Sequence, residues 1–179
     1  ENMLVSALLR AKELASKGVE LFASPALKFF LYNDINRERF KSDPKCLENF
    51  ILLDDNDIWT ALKVWCNHND IILATLSQGM VNREIFKVEV SPTPCTEERL
   101  NAISERIAKQ LHISKEDTRY FISTPSIEKN MYNPADDSID ILYNDGSTTN
   151  IAEASDMLHL SVLSKKVKKY YICYLREKK

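Results

Sequence analysis

The chain has little glycine and proline: three Gly and six Pro in 179 residues, too few for a collagen-like or low-complexity protein. Gly18, Gly79 and Gly146 stand too far apart to form a phosphate-cradling glycine loop. Cys46, Cys66, Cys95 and Cys173 make no CxxC pair, which argues against a zinc knuckle or a redox motif and fits reduced, structural thiols. A formal net charge of -2 gives no basic excess for a phosphate backbone, so nucleic acid is disfavoured as a partner. The longest apolar runs, such as residues 71–76, fall far short of the roughly 20 residues that a membrane-spanning helix needs. No charged-then-apolar leader opens the chain, so no membrane partner is expected and a cytoplasmic protein fits best.

What remains is an ordinary globular composition, with 44% hydrophobic and 28% charged residues. A chain of this length hides roughly 70% of its unfolded surface on folding, enough for a real core. Met3, Leu4, Ala7, Leu8, Ala11, Leu14 and Ala15 already follow helical spacing, and the chain begins without an initiator Met. Only Asn2, inside the pattern, offers a cap, so residues upstream of Glu1 are expected. Gly18 supplies a stop, and Ser24-Pro25 and Asp43-Pro44 are start signals. Asp54, Asp55 or Asn56 can cap a helix whose stripe is Ile58, Ala61, Leu62 and Trp65. Asn69-Asp70 offers a cap for a further helix carrying Ile72, Leu73, Leu76 and Met80.

From Ile85 the period changes from helical to alternating, with Phe86, Val88 and Val90 able to share a face. Pro92 and Pro94 end that strand, and Thr96 to Glu98 open a helix whose core face is Leu100, Ile103, Ile107 and Leu111. Further strands are expected at 119–123 and 138–143, a tight turn at Asp145-Gly146, a short helix at 154–163 and a Tyr-rich strand at 168–175. Residues 126–137 read as a surface loop. The fold class expected is α+β: an N-terminal helical segment, 1–83, packed with a C-terminal ferredoxin-like β-α-β-β-α-β lobe, 84–179.

No catalytic machinery is visible in the residues. Asp54, Asp55 and Asp57 suggest a calcium loop, but Trp59 and Trp65 stand where such a loop needs Gly and Glu, so helix capping is the better reading. Asp136, Asp137 and Asp140 fail the same test. His68, His112 and His159 lie in separate segments, none followed by Asp and none in a helical metal-binding pair, so no metal site is expected in this chain. No Ser stands in a nucleophile elbow and no Cys has a His-containing context, so no catalytic residue is assigned. A basic cluster comprises Lys165, Lys166, Lys168, Lys169, Arg176, Lys178 and Lys179, which reads first as solvation of a strand that discourages edge pairing.

The ordered series Asp54-Asp55-Asn56-Asp57-Ile58-Trp59, Ala61-Leu62-Lys63-Val64-Trp65, Leu76-Ser77 and Asn82-Arg83-Glu84-Ile85-Phe86-Lys87 resembles the C-terminal half of bacterial HD-superfamily phosphohydrolases. The opening MLVSALLRAKEL and the phrase FASPALKFFL carry the same resemblance, which runs from about Met3 to Lys87 and more loosely to Tyr174. The resemblance implies an all-helical catalytic domain around a divalent metal (Mn, Mg, Zn or Fe type) held by His and Asp side chains. Those ligands precede the matched region, so the catalytic part is expected upstream. Many members resemble deoxynucleoside triphosphate triphosphohydrolases, including the mammalian enzyme with joined SAM and HD domains. In relatives the lobe after the helices helps subunits associate and can lend cations to a regulatory deoxynucleotide site.

Arg83 and Lys87 match the Arg-x-x-Phe/Tyr-Lys pattern at the strand entry, which implies nucleotide binding with Lys87 on phosphate. Asp140 and Asn144 stand where the relative has basic residues on a later strand, which argues against a basic clamp there. The resemblance therefore implies the non-catalytic part of a phosphohydrolase, serving scaffolding, homo-oligomeric self-association and nucleotide sensing. The alternative is a freestanding protein-interaction or small-ligand-sensing module without catalytic activity.

Overall fold

A computed structural model describes residues 1–129, 140–150 and 167–177 of the chain, and its class is α+β. Six helices come first: α1 (Asn2–Ser16), α2 (Pro25–Tyr32), α3 (Arg37–Ser42), α4 (Pro44–Leu52), α5 (Asp55–Trp65) and α6 (Ile71–Val81). Strand β1 (Lys87–Ser91), helix α7 (Glu97–Leu111) and a 3-10 turn (Glu116–Tyr120) follow. Strands β2 (Ile122–Ser123), β3 (Ser126–Lys129), β4 (Asp140–Leu142), β5 (Thr148–Asn150) and β6 (Val167–Tyr174) complete the described elements. Contacts group the chain into two units, one of residues 1–88, 96–123 and 172 onward, the other of residues 89–95 and 124–171.

The helix starts follow from their caps. Ser24 Oγ accepts from the Leu27 N–H at 3.3 Å with Pro25 at the first helical position, and Asp43 Oδ1 accepts from the Lys45 N–H at 3.1 Å ahead of Pro44. At α5, Asp54 Oδ1 accepts from the Asn56 and Asp57 N–H groups at 2.7 and 3.2 Å, while Asp57 Oδ2 accepts from the Asp54 N–H at 2.8 Å. The acidic run is thus a reciprocal capping box, with acids where the helix dipole favours them. Helix α3 has no counterpart in the sequence reading; Asn36 Oδ1, accepting from the Arg39 N–H at 2.8 Å, starts it.

In the first unit, Ala7 and Ala11 of α1, Leu62 and Trp65 of α5, and Leu73 and Leu76 of α6 are buried almost completely. Each large apolar side chain among them stabilises the fold by about 1.5–3 kcal/mol through removal from water. The indole N–H of Trp65 donates to the Phe22 carbonyl at 3.0 Å, so this buried ring leaves no orphan donor. Two features fix α1 on α6. Gly79 lies so near Met3 that an added Cβ would stand 2.5 Å from Met3 Cε. Arg10 grips Asp70 with two N–H groups at 3.1 and 2.6 Å, while Asp70 Oδ1 also accepts from the Leu73 N–H at 2.8 Å and so caps α6.

Strand β6 lies between β1 and β2 in the sheet order and also pairs with β3. In the first unit it meets β2 antiparallel, with Ile122 opposite Tyr174 and Ser123 opposite Cys173. In the second unit it meets β3, from Ser126 opposite Tyr170 to Lys129 opposite Val167. Strands β4 and β5 form a hairpin around the tight turn expected at Asp145-Gly146, where Gly146 takes a φ of 83° that side chains disfavour; β5 itself has no counterpart in the sequence reading.

Several expectations need adjustment. The strand expected at 119–123 is reduced to Ile122–Ser123, because Ser114 Oγ accepts from the Asp117 N–H at 3.1 Å and Thr118 Oγ1 donates to the Lys115 carbonyl at 2.7 Å, winding the preceding residues into the 3-10 turn. Ser126–Lys129, read as loop, is a strand because a distant partner, β6, satisfies its backbone. Of the face expected from Phe86, Val88 and Val90, only Phe86 is buried, while Val88 and Val90 are more than half exposed. The helix expected at 154–163, residues 130–139 of the loop and strand, and His159 lie outside the described residues.

Candidate functional site

The residues singled out at the strand entry sit in the first unit. Arg83 follows α6, is exposed, and takes a φ of 60°, a left-handed conformation uncommon for a residue with a side chain. It lines a cavity of about 710 Å³ together with Gln78, Asn82 and Glu84. Lys87 opens β1 and lines a different cavity, of about 450 Å³. The two residues therefore do not line one recess, although Arg176 and Glu177 line both.

The cavity at Lys87 is the more distinctive. Arg99 and Arg106 of α7 and Arg176 after β6 join Lys87 in its wall, against the one carboxylate of Glu177. Arg99 and Arg106 are seven residues apart, close to two full turns, so α7 presents both from one side. Thr96 Oγ1 caps α7 by accepting from the Arg99 N–H at 3.4 Å, which fixes the turn from which Arg99 projects. Tyr174, at the end of β6, is the cavity's aromatic component: Lys87 Nζ lies 5.7 Å and Arg106 Cζ 5.5 Å from its ring centroid.

Arg106 and Arg176 are oriented by backbone. Arg106 Nη2 donates to the Leu175 carbonyl at 2.7 Å, and its Nε lies 3.6 Å from Glu177 Oε1. Arg106 Nη1 is buried without a hydrogen-bond acceptor among the described residues. Arg176 Nε donates to the Ile85 carbonyl at 3.0 Å, tying the end of β6 to the residue two before Lys87. Sequence reasoning put Arg176 in a solvating basic cluster and did not single out Arg99 or Arg106. The seven-residue spacing beside the apolar face of α7 was the signal that could have found that pair.

Other titratable groups serve the scaffold. Hydrogen bonds from Lys17 and the Tyr120 hydroxyl, reinforced by the Arg10 charge, lower Glu13 from an ordinary 4.5 to about 2. Burial alone would raise the Asp70 carboxyl, but the hydrogen bonds from Arg10 and the Leu73 N–H prevail and hold it below the usual range. Burial pushes the Cys66 thiol up, away from the thiolate a nucleophile needs. His68 Nδ1 accepts from the Asp70 N–H at 3.0 Å in the turn before α6, and His112 ends α7 in a left-handed conformation. Among the described residues no three His, Cys, Asp or Glu side chains converge as a metal would require, so a catalytic divalent cation has no fitting donor set there. Among the same residues no helix is long and apolar enough to cross a membrane.

No family model and no curated protein matches this chain. Among solved structures it is similar to the crystal structure of a phosphohydrolase from Bacteroides thetaiotaomicron VPI-5482, with 68% sequence identity and a TM-score of 0.93. The match covers 98% of this chain but 43% of that one, so the chain spans less than half of the phosphohydrolase it resembles.

Proposed function

We propose, from a likeness to less than half of a phosphohydrolase, that this chain is the non-catalytic C-terminal part of an HD-type, metal-dependent phosphohydrolase resembling deoxynucleoside triphosphate triphosphohydrolases. Its work is scaffolding, self-association and deoxynucleotide sensing. The observation that carries the reading is the pairing of 68% identity over 98% of this chain with coverage of 43% of its neighbour. In this reading the residues that would hold a divalent cation lie outside this chain, and the chemistry such an ion would supply is Lewis acidity toward water and phosphoryl oxygens. The residues here supply the framework: α1, α5 and α6 form the packed helical part, and Arg83 and Lys87, each lining its own cavity, are the two cations this reading assigns to nucleotide phosphate.

The test compares this chain with the longer parent in a deoxynucleoside triphosphate hydrolysis assay with added Mn²⁺ or Mg²⁺. The parent is expected to turn over and the 179-residue chain to be inactive. Robust turnover by the chain alone, or an inactive but folded and metal-loaded parent, overturns the proposal.

A further inference from the structure

Helix α4, in the first unit, keeps most of its apolar side chains on the outside. Its buried residue is Cys46, whereas Leu47, Phe50, Ile51 and Leu52 are each more than half exposed, Ile51 and Leu52 at 73% and 70%. Leu47, Phe50 and Ile51 follow i, i+3, i+4 spacing and so form one stripe, which Leu52 widens. The stripe is held in place. Phe50 packs edge to face on Phe40 of α3, with ring centroids 5.7 Å apart. Single apolar residues are ordinary on a surface, but a contiguous set of this kind marks a face that something covers.

Charge identifies the cover. Lys45 lies in the first turn of α4, Glu48 lies one turn on, and Asp55 follows the last turn at the start of α5; all three are exposed. None of them makes an ion pair among the described residues, while the neighbouring Asp54 is committed to the cap of α5. The stripe is therefore basic at its beginning and acidic from its middle onward. A second copy of α4 laid antiparallel across a two-fold axis sets Leu47 against Ile51 of the other copy. The same flank of each helix then meets, and Lys45 comes beside the acids of the other copy.

We infer that the exposed face of α4 is a two-fold contact between copies of this chain, apolar at its centre and closed at its edges by Lys45 against Glu48 and Asp55 of the other copy. The inference rests on the self-association reading and adds to it a surface, a symmetry and a charge pattern. Four apolar side chains on each side cover only part of the roughly 1,200–2,000 Å² that stable interfaces bury, so the dissociation constant is on the order of micromolar. A face complementary to itself stays so when every charge on it changes sign. A face fitted to a different partner does not, because the partner's charges stay as they were.

The experiment is sedimentation velocity on the 179-residue chain over a range of concentrations, with folding of each variant checked by circular dichroism. The wild type should pass from monomer to dimer as concentration rises. Lys45→Glu places like charges together at two symmetric positions and should weaken dimerisation about tenfold or more. It should still fold, since an acid in the first turn of a helix suits the helix dipole. Lys45→Glu combined with Glu48→Lys and Asp55→Lys reverses the whole pattern and should dimerise within about threefold of the wild type. A wild type that stays monomeric, undiminished dimerisation in Lys45→Glu, or a folded triple variant that stays monomeric overturns the two-fold contact. So does slow hydrogen exchange of α4 in a monomeric longer parent but not in this chain, which assigns the face to the parent's own residues. Self-association that ignores these charges removes this inference and leaves the self-association reading standing. Recovery in the triple variant beside an inactive parent removes the phosphohydrolase reading alone.

Discussion

Gly79 shows how a single hydrogen atom can set a helix contact. The helix interior would gain about 1 kcal/mol from Gly→Ala by propensity. A methyl there, however, meets Met3 Cε at 2.5 Å and the Glu84 carbonyl oxygen at 3.2 Å. Met3 is not free to withdraw, because its sulfur accepts from the Phe86 N–H at 3.3 Å. Overpacking costs about 1–3 kcal/mol, so Gly79→Ala is expected to lose about 1 kcal/mol net in urea unfolding. Adding Met3→Leu, which shortens the obstructing side chain, should return part of that loss. A stabilised Gly79→Ala would mean that the close approach is not what holds a glycine at this position. Sequence reading placed Gly79 only as too distant from the other glycines for a phosphate loop, because the atom that decides its role comes from a residue 76 positions earlier in the chain.

At the level of elements, legibility followed locality. Ser24-Pro25, Asp43-Pro44 and the acids before α5 were readable because each cap and its partner lie within three residues. Strand β3 was missed because its partner lies about 40 residues away, and β2 was overextended because a hydroxyl-capped 3-10 turn has no apolar period. The cationic cavity was half legible: Lys87 came from a resemblance, whereas Arg99, Arg106 and Arg176 come together only when α7 and the end of β6 are placed. Placement also makes an acid-sensitive joint between α1 and the 3-10 turn, where Glu13 takes hydrogen bonds from Lys17 and the Tyr120 hydroxyl. A carboxyl lowered on folding contributes stability that is fully present above its unfolded value and is lost as pH falls through its folded value. Here that window runs from about 4.5 down to about 2. Urea unfolding across these pH values should show a shallower loss of stability in Glu13→Gln than in the wild type. Equal slopes would remove Glu13 from the acid response.

At the scale of the whole molecule, the change of hydrophobic period near Glu84 and the grouping by contacts measure different things. The period marks where local geometry switches, whereas contacts place α7 and residues 172 onward with the helices. Surface composition adds a second expectation: Leu47, Phe50, Ile51 and Leu52 of α4 are each more than half exposed. Apolar side chains clustered on one short helix are what self-association would cover. Sedimentation of the chain should therefore report a concentration-dependent oligomer, and Ile51→Asp should shift it toward monomer; a wild type that remains monomeric at every concentration removes self-association through these residues. One carboxylate carries a further consequence for the first unit. Since Asp70 both begins α6 and receives Arg10 from α1, the opening turn of that helix cannot fray without releasing a neighbouring helix. A helix end is ordinarily its softest part, but here local unwinding and long-range undocking become one event, and the region opens as a block.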